Sequence, residues 1–144
     1  MKLSIVVPVY NSSEILVELN ERVRLAVNKI NLIDDFEFLM INDFSKDDSW
    51  NNIKDLSKKY SYIKGINLSR NFGQHNALMA GLNNCIGEKV ITLDDDLQHP
   101  PEFIQQILQK LDDCEVCYTN YRNRQHLSWK KAVSNINNII SSLL

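Results

Sequence analysis

Lys89-Val90-Ile91-Thr92-Leu93-Asp94-Asp95-Asp96-Leu97-Gln98-His99-Pro100-Pro101 decides how the rest of the chain is read. A short apolar run stops at consecutive aspartates, and a double proline then leads into a segment with Phe103, Ile104, Ile107, Leu108 and Leu111 at helical spacing. An apolar run this short, bounded by turn formers, is the signature of a buried strand. Proline suits the first turn of a helix, where a backbone N–H has no intrahelical partner anyway. The stretch therefore predicts strand, charged loop, helix. Negative charge is favoured at a helix start, but three carboxylates are more than a helix start needs. A divalent cation relieves their repulsion, and carboxylates suit the hard ions, so Mg²⁺ or Mn²⁺ is expected rather than zinc. Such an ion completes its shell with water and substrate phosphates, which implies a phosphate-bearing ligand.

Outward from this stretch, the same pattern recurs. Residues 3–7 form an apolar, branched run, as in a strand buried on both faces. Pro8 is expected to end its ladder, and Ser12 or Ser13 to cap a helix bearing Ile15, Leu16, Leu19, Val23, Ala26, Val27 and Ile30. Residues 36–41 predict a second strand, followed by Ser45 and Asp48 as a capping box for a helix reaching about Tyr60. Residues 63–68 predict a third, followed by a helix through Ala77, Leu78, Ala80, Gly81 and Leu82 that Gly87 helps to end. Residues 114–118 predict a fifth strand after residues 90–93. Alternating strands and helices of this length imply a mostly parallel sheet with helices on both faces, and ligands at the carboxyl ends of its strands.

Composition narrows the function. The chain has 144 residues, 44% hydrophobic and 24% charged, with a net charge of −2. That suits one globular domain and supplies no broad attraction for nucleic acid or an anionic membrane. No apolar run is long enough to span a bilayer, and no leader pattern is evident. Cys85, Cys114 and Cys117 are an odd set, expected as reduced, buried thiols in a cytoplasmic protein. Residues 125–144 predict an amphipathic helix with Trp129, Ile136 and Ile140 on one side and no stop signal before Leu144, expected to dock on the sheet and to lead into a part not present in this sequence.

Other strand ends carry candidate ligands. Asp43, flanked by Asn42 and Ser45, is placed to accept from a base N–H or a ribose hydroxyl, or else to serve as a helix-start acid. Arg70 and Arg122 follow strands where a guanidinium would meet a diphosphate. His99 reads as a loop hydrogen-bonder with the metal within reach, and His75 and His126 carry no signal.

Four stretches together resemble family 2 glycosyltransferases: Pro8-Val9-Tyr10-Asn11, Asn42-Asp43-Phe44-Ser45-Lys46-Asp47, Ser69-Arg70-Asn71-Phe72-Gly73-Gln74 and Asp94-Asp95-Asp96-Leu97-Gln98-His99-Pro100-Pro101-Glu102. The last contains the family's Asp-x-Asp motif, and the wording is closest to the polyprenol-phosphate sugar synthases. The resemblance implies a GT-A fold, α/β and Rossmann-like, with residues 1–124 as the domain that binds the sugar donor. It implies inverting transfer of a sugar from a UDP- or GDP-linked donor to a polyprenyl phosphate or saccharide acceptor. Carried over by position, Pro8, Val9, Tyr10, Asn11 and Asp43 hold the nucleoside, with Asp43 on the base. Asp94 and Asp95 lie by ribose and diphosphate, and Asp96, with Asp94, ligates Mg²⁺ or Mn²⁺. Gln98 approaches the sugar, and Arg70 and Arg122 serve the diphosphate.

The resemblance further places the acceptor-binding half, and in many members the catalytic general base, beyond Leu144, where this sequence stops. No catalytic residue is therefore assigned, and the chain alone is expected to transfer sugar weakly or not at all. The resemblance admits a homo-oligomer, and a peripheral place at the inner face of a membrane through the absent C-terminal part. One departure bears on the base: the family's Asp-Asp-Gly-Ser stands here as Asn42-Asp43-Phe44-Ser45, without the glycine that frees this loop. The rival enzyme reading is a haloacid-dehalogenase-type phosphatase, whose motif asks for Thr or Val where Gln98 stands. A non-enzymatic reading is a nucleotide-sugar-binding half that acts only with a partner.

Overall fold

The computed structural model describes residues 2–118. Four parallel strands, β1 (Leu3–Val9), β2 (Phe36–Asn42), β3 (Ile63–Asn67) and β4 (Lys89–Thr92), lie in the order β3-β2-β1-β4. Between them run α1 (Leu16–Lys29), α2 (Ser49–Lys59) and α3 (Gln74–Leu82); a 3₁₀ turn (Pro101–Phe103) and α4 (Ile104–Leu111) follow β4. Alternate side chains of the buried strands face opposite layers, as a two-residue period requires. Leu3, Ile5, Val7 and Val9 join the larger apolar cluster with residues of α1, α2 and α4, while Val6 joins Leu39, Ile41 and Ala77 beneath α3. At Gly81 a Cβ would stand 2.3 Å from Val6 Cγ1, so a side chain there would push α3 off the sheet.

The register explains where the site forms. Leu3 to Val6 pair with β4, but Val7, Pro8 and Val9 have partners only in β2. Along β1 the backbone groups alternate sides: Val9 O accepts from Asp43 N on the β2 side, and Val6 O from Leu93 N on the β4 side. The missing N–H of Pro8 therefore faces the side where β4 has already ended. Contrary to the expectation that Pro8 ends the ladder, the strand continues to Val9, because the β2 ladder needs nothing from the proline nitrogen. A notch opens above the end of β4, and the aspartates occupy it.

Five further local expectations are corrected. Residues 114–118 form no strand: among the described residues nothing pairs with the outer edge of β4, Val116 is 63% exposed and Tyr118 92%. Apolar alternation marks a strand only where a neighbour supplies its hydrogen bonds. The thiols expected to be buried are not, since Cys114 is exposed and Cys85 and Cys117 are half-buried. Ser12 and Ser13 do not cap α1, whose first residue is preceded by Ile15 without a side-chain cap, and Ser45 with Asp48 make no capping box. Gly87 does not end α3; it lies against Ser4, whose Oγ accepts the Gly87 N–H. Arg122, His126 and the predicted C-terminal helix up to Leu144 lie outside the described residues. The general base expected beyond Leu144 lies outside the sequence itself.

Candidate active site

A cleft of about 370 Å³ opens at the carboxyl ends of β1, β2 and β4. Of the residues predicted for the site, Pro8, Val9, Tyr10, Asp43, Asp94, Asp95 and Asp96 line it, and Asn71, Gly73 and Gln74 complete the wall. Gly73 starts α3 with φ +87°, a conformation open to glycine and costly to other residues. Arg70, Asn11 and Gln98 are not in the wall. The Arg70 guanidinium lies 4.7 Å over the Phe72 ring, and Asn11 is engaged elsewhere.

The loops after β1 and β2 are laced together. Asn11 N donates to Ser45 Oγ at 3.0 Å while Asn11 Oδ1 accepts from Lys46 N at 2.8 Å. Ser12 N donates to Ser49 Oγ, and Asp47 accepts from both Ser13 N and Ser49 N. Asp47 thus does at the start of α2 what was expected of Asp48 and Ser45. Burial works against its ionisation, but the hydrogen bonds from Ser49 and Ser13 outweigh that and bring its pKa to about 2.

Asp43 is buried, and its two oxygens accept from Phe72 N at 2.7 Å and Gly73 N at 2.8 Å. It therefore fixes the loop before α3, and reaches the cleft with the lone pairs those bonds leave over. Phe44, in the family's glycine position, keeps the left-handed backbone with φ +58°.

The three aspartates separate by environment. Asp95 turns back to the loop after β1, accepting from Tyr10 N at 3.1 Å and Ser12 Oγ at 2.5 Å. Burial pushes its carboxyl pKa up, against the pull of those bonds. Asp94 accepts from Gln74 Nε2 at 2.9 Å and stands 2.9 Å from His99 Nδ1. Asp96 is exposed and accepts from Gln98 N at 3.0 Å.

Ligand atoms of Asp94, Asp96 and His99 lie within 4.8 Å of one another. Two carboxylates and an imidazole make a donor set that fits a divalent metal ion. Sequence reasoning does not place His99 and Gln74 among the site residues. The spacing Asp94-x-Asp96-x-x-His99 is a signal for the first; for Gln74, whose partner comes from another strand end, local sequence offers none.

The profile of the family described as Glycosyl transferase family 2 matches residues 4–143. The chain is 40% identical over 144 residues to an undecaprenyl-phosphate 4-deoxy-4-formamido-L-arabinose transferase of Enterobacter sp. (strain 638), covering 98% of this chain and 43% of the relative. Among solved structures it is similar to the mannosyltransferase PcManGT from Pyrobaculum calidifontis in complex with GDP-Man and Mn²⁺, at TM-score 0.69 and 18% identity, covering 83% of this chain and 36% of that one. It is also similar to S. aureus TarS 1-349 in complex with UDP-GlcNAc, at TM-score 0.63 and 24% identity, covering 88% and 37%. These likenesses bear out the GT-A fold, and the family match sets aside the phosphatase reading. The chain spans less than half the length of these relatives. By its sequence, the chain belongs to glycosyltransferase family 2.

Proposed function

We propose that this chain is the donor-binding part of a metal-dependent glycosyltransferase that moves a sugar from a UDP- or GDP-linked donor to a polyprenyl phosphate, with inversion at the anomeric carbon. The observation that carries the reading is the cleft itself, where Asp43, Asp94, Asp95 and Asp96 meet at the ends of three strands. The relative named for undecaprenyl phosphate supports a lipid phosphate over a saccharide acceptor. Neighbours in complex with GDP-Man, Mn²⁺ and UDP-GlcNAc support the donor class and the ion.

Pro8, Val9 and Tyr10 form the nucleoside wall, and Asp43 receives a base N–H on a remaining lone pair. Asp94 and Asp96 hold the ion, with His99 in reach. When bound, the ion offsets charge that develops on the departing nucleoside diphosphate. In the transfer, the bond from the anomeric carbon to the diphosphate oxygen breaks and a bond to an acceptor phosphate oxygen forms; the electron pair leaves with the nucleoside diphosphate. Asp95 keeps the loop after β1 against the end of β4 and so sets the width of the cleft beside the ribose. Gln98 on the sugar side and Arg70 and Arg122 on the diphosphate side remain part of the proposal, as do a general base beyond Leu144 and a cytoplasmic site at the inner face of a membrane. Among the described residues no helix is long and apolar enough to cross a membrane.

Titration of the chain with UDP, GDP and their sugars, with and without Mn²⁺, tests this. Nucleotide binding that depends on Mn²⁺ and is lost in Asp96→Ala is expected; binding of no nucleotide under either condition would sink the reading. Weak or absent sugar transfer by the 144-residue chain is expected, and robust transfer to a polyprenyl phosphate would overturn the assignment of this chain as a donor-binding part only.

A further inference from the structure

In the sequence Leu97 stands between Asp96 and His99, and its backbone is left-handed, with φ +57°. Left-handed backbone is uncommon for residues other than glycine, asparagine and aspartate, because Cβ crowds the carbonyl oxygen. Among the described residues only Asn11, Asn31, Phe44 and Leu97 adopt it without being glycine, and the two asparagines are tolerant of it. Strain of this kind persists where the surroundings over-determine the conformation. Here the surroundings are visible: the Leu97 side chain is partly buried and packs against the larger apolar cluster.

The turn has a defined consequence. Across Leu97, Gln98 N donates to Asp96 Oδ1 at 3.0 Å, and the chain reverses so that His99 Nδ1 returns to 2.9 Å from Asp94 Oδ2. Without the reversal, residues 94, 96 and 99 would not converge. A glycine would adopt the same φ with less strain, but would bring no side chain to hold the turn down. Resting on the metal-dependent reading above, we propose that Leu97 is a positioning residue: its side chain, anchored in the core, pins a left-handed turn that holds the Asp94, Asp96 and His99 donors together. The pocket gains order from an apolar residue that touches neither the ion nor the nucleotide.

Three substitutions separate the anchor from the backbone. Leu97→Ala removes the anchor and keeps the strain; Leu97→Gly removes both; Leu97→Met keeps apolar volume. Mn²⁺ affinity of the full chain in the presence of UDP or GDP is read by paramagnetic resonance of free Mn²⁺, and folding by thermal circular dichroism. The Ala and Gly variants are expected to bind Mn²⁺ about tenfold more weakly, as when a supporting group behind a metal ligand is lost. The Met variant is expected within about twofold of the parent, as for a volume-conserving swap.

Gly is expected to melt above Ala, having shed the strain, yet to recover no affinity. A merely structural role would let affinity follow thermal stability. Ala and Gly variants that are folded and bind Mn²⁺ as the parent does overturn the inference. Should the Ala variant not fold, the Gly and Met pair decides it in the same way. If the parent chain itself binds no Mn²⁺ with either nucleotide, the functional reading fails and the inference falls with it; loss of binding only in the variants supports both.

Discussion

The loops after β2 and β4 face the same cleft, and each carries a bulky residue in left-handed backbone, Phe44 in one and Leu97 in the other. In the first loop Asp43 and Asp47 are each engaged by two backbone N–H groups. Asp43 holds Phe72 N and Gly73 N, and Asp47 holds Ser13 N and Ser49 N. In the second, Asp96 is exposed and accepts from Gln98 N, and its donors converge with those of Asp94 and His99. Carboxylates that satisfy backbone N–H groups build a wall; carboxylates that converge with an imidazole make a donor set for the ion of the proposed function. The same residue type thus holds backbone on one side of the cleft and, in the proposed function, the ion on the other.

The largest effect that would break this contrast is on Asp43. Its removal in Asp43→Ala strands two N–H groups in a buried place and is expected to destabilise the chain by about 2–4 kcal/mol, read by chemical denaturation. Asp43→Asn keeps an acceptor oxygen and should lose roughly half as much. An Asp43→Ala chain as stable as the parent would show that the first loop is not held as described. Asp96→Ala is the mirror experiment: stability within about 0.5 kcal/mol of the parent, as at an exposed position, with Mn²⁺ affinity in the presence of nucleotide falling at least about tenfold. Substantial destabilisation by Asp96→Ala with Mn²⁺ binding intact would reverse the two assignments.

What can be read from sequence follows the range of each interaction. The strands and helices up to α4 are legible because their signal is local: branched apolar runs and helical spacing over consecutive residues. The site's location follows from the topology, since polar clusters after parallel strands gather at one edge of the sheet. The lacing is not legible. Ser12 looks like a helix cap from its neighbours, but its hydroxyl goes to Asp95, and Asp47 rather than Asp48 serves α2 because Ser13 is there to share it. These choices are made between loops distant in sequence, which no local rule sees. Residues 114–118 mislead for the opposite reason: the local pattern is present, but the paired neighbour is not. Pro8 reads as a stop only if its strand has a neighbour on both sides throughout; with β4 ending at Thr92, one ladder suffices.

A smaller effect sharpens the picture of the first loop through its pH dependence. With its pKa brought to about 2 in the folded chain, Asp47 is ionised more readily than an ordinary aspartate at about 3.9. A depressed folded value favours the native state above the unfolded pKa, and that contribution is lost as pH falls from about 4 towards 2. Asp47 is exposed, so solvent screening limits its worth. Replacing it by Ala is expected to cost about 1 kcal/mol near neutral pH, as for other helix-start acceptors. The acid limb of a stability-against-pH profile should flatten in Asp47→Ala; an unchanged limb would place the acid sensitivity elsewhere.

The smallest effect concerns the two left-handed residues themselves. Phe44 is 49% exposed and lacks the core anchor that Leu97 has, so little of its side chain offsets its strained backbone. Replacing it with glycine removes a left-handed penalty of about 1–2 kcal/mol and adds about 0.5–1 kcal/mol of unfolded-chain entropy. The net expectation for Phe44→Gly is a gain of roughly 0.5 kcal/mol. The same change at Leu97 also deletes a packed side chain, and is expected to destabilise. Opposite signs in a matched pair of denaturation curves would attribute the difference to anchoring. A loss at Phe44 as large as at Leu97 would mean that the phenylalanine ring, like the leucine, is held by its surroundings, and that both loops depend on side-chain anchors.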